Sequence, residues 1–173
     1  MSYKANAIAA SFFQNYLNKA EDKELNKALK ANLKSVEKFL CKIPANKRTY
    51  AYAEGKWTIK QLLQHMIDTE RVFAYRALRF ARKDATPLPG FDENAWASNA
   101  TAATRKWNSL VNEFIAVRKT TLALFEALDK KELLLEGIAS NNVVNVLALG
   151  YIIAGHANHH IDIINERYLP KKK

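Results

Sequence analysis

Four histidines are the residues of this sequence best suited to chemistry. One stands alone at His65, and the others fall in the segment GHANHH: His156, His159 and His160. Histidines three or four positions apart lie on one face of a helix and can bind one metal ion, so His156 pairs with either His159 or His160. A helical wheel at about 100° per residue places His156 and His160 within an apolar stripe and His159 at its edge.

Imidazoles on an apolar stripe need partners for their ring nitrogens, and two interpretations stay open. The partners are either backbone carbonyls and tyrosine hydroxyls within an ordinary core, or one metal ion shared by both rings. His65 lies near the margin of the apolar arc of its own helix and can face a neighbouring helix. Three imidazoles on one ion would leave coordination positions free for water or substrate, which is typical of a catalytic site.

Four helices are predicted to position these histidines. Apolar residues recur with a period near 3.6 over residues 22–41, 58–82, 104–128 and 142–168. Thr58 followed by Gln61 is a capping-box pattern at the start of the second helix. The chain contains only 5 glycines and 4 prolines, which favours long uninterrupted helices over a turn-rich β-fold. We therefore expect an all-α four-helix bundle.

The connection between the second and third helices sets the topology. Residues 84–103 are broken by Pro87, Pro89 and Gly90. A tight turn would make neighbouring helices antiparallel, whereas about twenty residues can run the length of a bundle. The sequence therefore permits the second and third helices to lie parallel, joined by a long crossover.

The remaining segments give local predictions. Residues 1–20 carry an aromatic cluster and are expected to form an arm or short helix packed on a single domain over residues 21–170, which a basic tail at 171–173 follows. Asp129 and Glu132 indicate a short helical turn, and Ser140 to Asn142 are expected to cap the fourth helix. Cys41 continues an apolar pattern and is expected to be a buried thiol.

Composition limits the functional classes. A hydrophobic content of 49% supports a real core, and the formal net charge is +10. Part of that charge is a lysine row at helical spacing, interpreted as a solvated helix face: Lys19, Lys23, Lys27, Lys30, Lys34 and Lys38. No nucleic-acid recognition motif accompanies it, so a nucleic-acid partner is not expected. The longest apolar run is too short to cross a bilayer and the start lacks an export-signal pattern, so we expect a cytoplasmic protein.

Three strings together resemble the DinB-like superfamily, which includes the YfiT-type bacillithiol transferases. They are EGKWTIKQLLQHMIDTERVFAYRALRFAR, TPLPGFDENAWA and GHANHHIDIINERYL, in this order. The resemblance covers roughly residues 20 to 168. It implies a four-helix bundle with parallel second and third helices, and a divalent metal, zinc or nickel, bound by His65, His156 and His160.

The resemblance also implies an activity. Such proteins use the metal to activate a low-molecular-weight thiol or water against a small molecule, so we expect a thiol S-transferase or a hydrolase, and a homodimer. The alternative is a non-catalytic metal-containing binding or dimerisation module of the stress response.

Other residues are weaker candidates. Glu70 falls on the apolar side of the second helix, where its carboxylate could act as a base or orient an imidazole, or could instead pair with Arg76 or Arg118. Candidates for the mouth of a pocket are aromatic: Trp57, Phe91, Trp96 and Tyr151. Asp92 and Asn94 in the crossover could reach a substrate.

Overall fold

The computed structural model describes residues 2–169, so the basic tail predicted at residues 171–173 lies outside the described residues. Its α-helices and β-strands, in chain order, are α1 (Gln14–Lys19), α2 (Leu25–Leu40), α3 (Ile59–Ala81), α4 (Glu93–Asn99), α5 (Trp107–Glu126), α6 (Lys130–Leu133), β1 (Glu136–Ala139), β2 (Asn142–Asn145) and α7 (Val146–Ile163), and a π-helical turn, Ile164–Tyr168, follows α7. The four long helices, α2, α3, α5 and α7, form a bundle. The predicted all-α four-helix bundle is confirmed, with a two-stranded hairpin added to it.

Helices α3 and α5 run parallel. The Arg105 guanidinium donates to Gln64 near the start of both helices. Further along both helices, Arg71 forms an ion pair with Glu113 at 2.7 Å. Contacts therefore advance in the same direction along the two helices. The long crossover between them makes this arrangement possible, as the sequence indicated.

Helix α7 is the central element of the bundle. It is buried along almost its whole length, and α1, α2 and α3 all pack against it. A helix that is apolar on nearly every side must be enclosed by others. At Gly155, a Cβ atom would lie 1.8 Å from the backbone carbonyl oxygen of Tyr16, so only glycine lets α1 approach this closely.

The helix starts follow the capping chemistry of the sequence. Thr58 and Gln61 form the predicted capping box of α3, with each side chain bonded to the other residue's backbone N–H. Asp129 and Glu132 form a second capping box at α6. Asn145 caps α7, since its side-chain oxygen accepts from the N–H of Ala148 at 2.8 Å.

The prediction that the fourth helix begins near residue 142 is wrong. Residues 136–145 form the antiparallel β1–β2 hairpin, and the helix starts at Val146. Ser140 and Asn141 have φ values of 50° and 62°, which is the left-handed conformation that a two-residue hairpin turn requires. The polar residues expected to cap a helix instead build this turn.

The prediction of a buried thiol is also wrong, because Cys41 is exposed. It follows the last residue of α2 at the C-cap position. The apolar face of the helix ends at Leu40, which is fully buried, so the next residue no longer faces the core.

The segment before α1 docks on the start of α7. The Ile8 N–H donates to the Asn145 side-chain oxygen, and the Asn145 amide donates to the Asn6 carbonyl.

Five lysines of the predicted lysine row are exposed: Lys23, Lys27, Lys30, Lys34 and Lys38. Within residues 2–169, no helix combines the length and the apolar character needed to cross a membrane.

Candidate metal centre

Three histidines from two helices converge in the bundle interior. His65 comes from the second turn of α3, and His156 and His160 lie one turn apart on α7. The Nε2 atoms of His65 and His156 are 3.1 Å apart, and those of His156 and His160 are 2.9 Å apart. All three rings are buried. We call these residues the histidine cluster.

Neighbouring side chains fix the orientation of the rings. The Thr69 hydroxyl lies 3.4 Å from Nδ1 of His65, one turn along α3. The Trp57 ring packs on the His65 ring with centroids 4.9 Å apart, and the Tyr16 ring packs edge-on against His156 at 5.3 Å. Tyr168 donates from its hydroxyl to the Trp57 carbonyl at 2.6 Å. This hydrogen bond positions the backbone of Trp57, whose ring packs on His65.

Burial keeps the cluster uncharged near neutral pH. It lowers the pKa of His65 to about 4. Burial, together with the neighbouring imidazoles, also lowers the pKa of His156 and the pKa of His160 well below the usual histidine range. Neutral imidazoles present lone pairs, which is the form that binds a metal ion.

The donor set fits a divalent metal ion. One proton can bridge only one pair of the converging Nε2 atoms, so neutral rings facing one another leave lone pairs without a partner. Separations near 3 Å also suit nitrogens that each lie about 2.0–2.1 Å from a shared zinc-sized ion. A cation between the rings would satisfy His65, His156 and His160 together.

His159 stands outside the cluster, as the helical wheel indicated. Its ring is partly exposed, and its Nδ1 lies 3.5 Å from the Asn15 amide of α1. Burial lowers the pKa of His159, and the Lys19 ammonium lowers it further. It lies among surface groups at the junction of α1 and α7.

A surface pocket of about 200 Å³ reaches the histidine cluster through His160. We call it the histidine pocket. Its walls combine aromatic rings with two cationic side chains and contain no carboxylate: Tyr52, Gly55, Lys56, Trp57, Leu62, Asn94, His160, Ile163, Arg167 and Tyr168. Arg167 donates to the Tyr52 hydroxyl at 2.9 Å. The cluster is therefore accessible to a small molecule from a positively charged mouth.

The aromatic and crossover candidates lie at different sites in the structure. Trp57 and Asn94 line the histidine pocket, whereas Phe91 and Trp96 stack on each other and line a different pocket beside α3. Asp92 caps α4 through its side chain. Tyr151 lies away from the histidine pocket: it is buried, donates its hydroxyl to the Lys23 carbonyl, and lines a separate pocket beside the first residues of α2 and α7.

Glu70 is buried and paired. Both of its carboxylate oxygens accept from Arg118, at 2.7 and 2.9 Å. Within residues 2–169, Glu70 makes no hydrogen bond to an imidazole of the histidine cluster. Of its two expected partners, Arg76 and Arg118, Glu70 pairs with Arg118.

Sequence reasoning missed the cationic and phenolic groups at the mouth. Arg167 follows His160 by seven residues, which is about two turns of a continuous helix, so the spacing could have placed the two side chains on the same side; in the structure Arg167 lies in the π-helical turn Ile164–Tyr168 that continues α7. Lys56 and Tyr52 belong to a loop without periodicity. Nothing in the sequence alone brings that loop beside α7.

The model of the DinB superfamily matches residues 28–164. This chain belongs to the DinB superfamily. The match includes all three residues of the histidine cluster, and the sequence resemblance is thereby confirmed.

One curated protein and one solved structure are also similar to this chain. A protein of Oceanobacillus iheyensis named "Putative metal-dependent hydrolase" is 40% identical over 47 residues, which is 27% of this chain and 27% of that protein. The chain thus matches about a quarter of the length of that curated relative. The structure of YfiT from Bacillus subtilis, described as a probable metal-dependent hydrolase with an unusual four-helix bundle topology, superimposes with a TM-score of 0.65 at 16% identity. The superposition covers 92% of this chain and 87% of the YfiT chain, which shows a shared fold.

Proposed function

We propose that the protein is a metal-dependent enzyme that activates water or a thiol for attack on a small electrophile. The observation that carries the proposal is the convergence of His65, His156 and His160 beside a pocket open to small molecules. The names of the two relatives, both described as metal-dependent hydrolases, support it.

The three imidazoles would hold the ion, and zinc or nickel suits this nitrogen donor set. Such an ion supplies Lewis acidity and open coordination positions, which favour the deprotonated form of water or a thiol at neutral pH. The chain contributes the rest. Thr69 and Trp57 fix the His65 ring, and Tyr168 fixes Trp57.

The histidine pocket favours an anionic reactant. Lys56 and Arg167 lie at its mouth, and its walls contain no carboxylate. The ion would add further positive charge, because the three imidazoles are neutral. Aromatic rings of Tyr52, Trp57 and Tyr168 provide a stacking surface for the body of the reactant.

Hydrolysis and thiol transfer place the same demands on the cluster and differ in the nucleophile. The relatives' names support hydrolysis. The basic mouth supports thiol transfer, since low-molecular-weight thiols that carry carboxylates would be attracted to Lys56 and Arg167. The nucleophile is therefore the first property that an assay should resolve.

The alternative is a metal-containing binding module without turnover. Closure of Phe91 and Trp96 over the cluster would favour that alternative, but these rings line another pocket. The open route to His160 favours an enzyme. Catalysis by Glu70, a homodimer and a cytoplasmic location stay predictions; for Glu70, the Arg118 pair favours a positioning role.

Metal analysis combined with two assays tests the proposal. We expect about one divalent ion per chain in the wild type, loss of the ion in His65→Ala and His160→Ala, and its retention in His159→Ala. The matched control is His159→Ala, because this histidine lies on the same helix outside the cluster. Activity is measured with glutathione plus 1-chloro-2,4-dinitrobenzene, and with 4-nitrophenyl acetate without thiol.

The nucleophile follows from which assay responds to the metal. Turnover that requires glutathione indicates transfer, and turnover of the ester alone indicates hydrolysis. Wild-type protein that takes up no metal after dialysis against zinc or nickel would overturn the proposal. So would activity that is unchanged by chelation.

A further inference from the structure

Arg76 is a buried cation with no anionic partner among the residues that the structure describes. Its side chain lies on α3 with 3% of its surface exposed. One terminal nitrogen, Nη2, donates to the Pro89 carbonyl at 2.8 Å and to the Ser140 hydroxyl at 3.0 Å. Within residues 2–169, no carboxylate lies within 4.0 Å of the guanidinium. Isolated buried charges are costly, and proteins normally pair them.

The other two guanidinium nitrogens of Arg76 remain unpaired within residues 2–169. Nε and Nη1 make no hydrogen bond with the described chain, and neither atom is sealed from solvent. Both belong to a side chain that lines a pocket of about 170 Å³ between α3 and the crossover. We call it the arginine pocket. A guanidinium with unused donors is suited to bind a carboxylate through two parallel hydrogen bonds.

The other walls of the arginine pocket are apolar and aromatic. Leu88 and Val72 lie at its sides, and Phe91 and Trp96 pack together with ring centroids 4.6 Å apart. Trp96 is 44% exposed and Tyr75 is 51% exposed, so two large aromatic side chains remain at the rim. These walls suit a flat apolar body attached to the anionic group.

We propose that the arginine pocket binds a small aromatic carboxylate, with the carboxylate on Arg76 and the ring beside Trp96 and Tyr75. The volume of about 170 Å³ is below the several hundred Å³ typical of larger ligands, which limits the ligand to one ring with a short acid arm. A simple inorganic anion would leave the apolar walls without a partner.

The site is separate from the histidine cluster. The Phe73 ring lies between them, with its centroid 5.6 Å from the Arg76 guanidinium carbon and 6.4 Å from the His156 ring centroid. The two pockets share no lining residue. The arginine pocket contains no residue of the histidine cluster, so the proposal does not rest on the proposed function.

Calorimetric titration of the full-length protein with benzoate, phenylacetate, benzamide, acetate and inorganic phosphate tests the proposal. We expect benzoate or phenylacetate to bind with one site per chain, and the neutral isostere benzamide, acetate and phosphate to bind at least tenfold more weakly. Arg76→Gln should weaken the aromatic carboxylate at least tenfold. The control Arg82→Gln, an exposed arginine one helical turn and a half further on, should leave binding unchanged.

Two further variants keep the result interpretable. Trp96→Ala removes a wall of the arginine pocket and leaves the Arg76 bonds to Pro89 and Ser140 in place, so it tests the site even where Arg76→Gln does not fold. His160→Ala should bind the carboxylate as the wild type does. Overturning results are no binding of either aromatic acid at millimolar concentration, binding unaffected by Trp96→Ala, phosphate binding as tight as that of benzoate, or loss of binding in His160→Ala.

Discussion

At the scale of single residues, burial determines what each imidazole can do. The same loss of hydration that lowers the pKa of His65 to about 4 also leaves its ring available as a neutral ligand. That burial also brings the Nε2 atoms of the cluster to 2.9 and 3.1 Å from one another, where one bridging proton leaves a lone pair without a donor. The histidine cluster is thus a local cost to the fold that a bound ion would offset.

Acid should destabilise the metal-free protein through His65. The pKa of His65 is about 4 in the folded chain and about 6.5 in an unfolded one. The unfolded state therefore takes up the proton first, and the free energy of unfolding falls as the pH drops from about 6.5 toward 4. The full loss is about 3 kcal/mol for this group.

Urea unfolding of chelator-treated protein between pH 7 and pH 4.5 measures this effect. The variant His65→Gln should show a shallower decline than the wild type, because it lacks the titrating ring. Identical pH profiles for the two proteins would contradict the assignment of the decline to His65.

The histidine cluster was accessible from sequence because its information is local and periodic. The four-residue spacing of His156 and His160 placed both on the apolar face of α7, and His65 lay near the margin of its own helix. Arg76 shows the limit of such reasoning. Its partners, Pro89 and Ser140, come from segments without periodicity, so the unused donors appear only once the chain is folded.

At the scale of elements, the approach of α1 to α7 depends on Gly155. A Cβ atom there would meet the Tyr16 carbonyl oxygen at 1.8 Å. At Gly150 on the same helix, the nearest atoms are the Leu25 side-chain methyls at 2.8 Å, which can move. The two positions therefore differ in what a methyl group would displace.

Gly155→Ala should destabilise the protein, while Gly150→Ala should be nearly neutral. Both substitutions gain about 1 kcal/mol of helix propensity. At position 155 the backbone clash must move α1, with a net loss of about 1–3 kcal/mol. Urea denaturation of the two variants compares their free energies of unfolding. Equal values would show that α1 can move away from position 155 without loss of stability.

Some elements can be predicted from local sequence, whereas others depend on tertiary contacts. The capping box of Thr58 and Gln61 fixed the start of α3 because it is a local bond pattern. The β1–β2 hairpin was missed because Ser140 and Asn141 suit both a helix cap and a turn. Tertiary contacts select the turn here: Ser140 accepts from Arg76, and its N–H donates to the Leu88 carbonyl.

At the scale of the whole molecule, one buried polar network crosses the bundle. Arg118 of α5 bonds Glu70 of α3 and Asn32 of α2. Asn32 bonds Asn158 of α7 at 2.7 Å, and Asn158 donates to the Lys19 carbonyl of α1. The network therefore joins both helices that carry the histidine cluster to the other helices of the bundle.

Arg118→Met should be strongly destabilising. It leaves the Glu70 carboxylate and the Asn32 side-chain oxygen buried without their donor, and breaking a buried pair costs about 3–5 kcal/mol. The control Arg82→Met breaks the exposed pair with Glu132, for which a loss of at most about 1 kcal/mol is expected. Chemical denaturation compares them; similar losses would mean that the network adds little. Adding Glu70→Leu to Arg118→Met should recover part of the stability.

The central position of α7 has a consequence for biosynthesis. Among the four long helices of the bundle, α7 is the last to leave the ribosome, yet α1, α2 and α3 all pack on it. Until it emerges, the nascent chain would expose the apolar faces of its earlier helices. Because domains fold as units during translation, this chain should reach its native state only after α7 is synthesised.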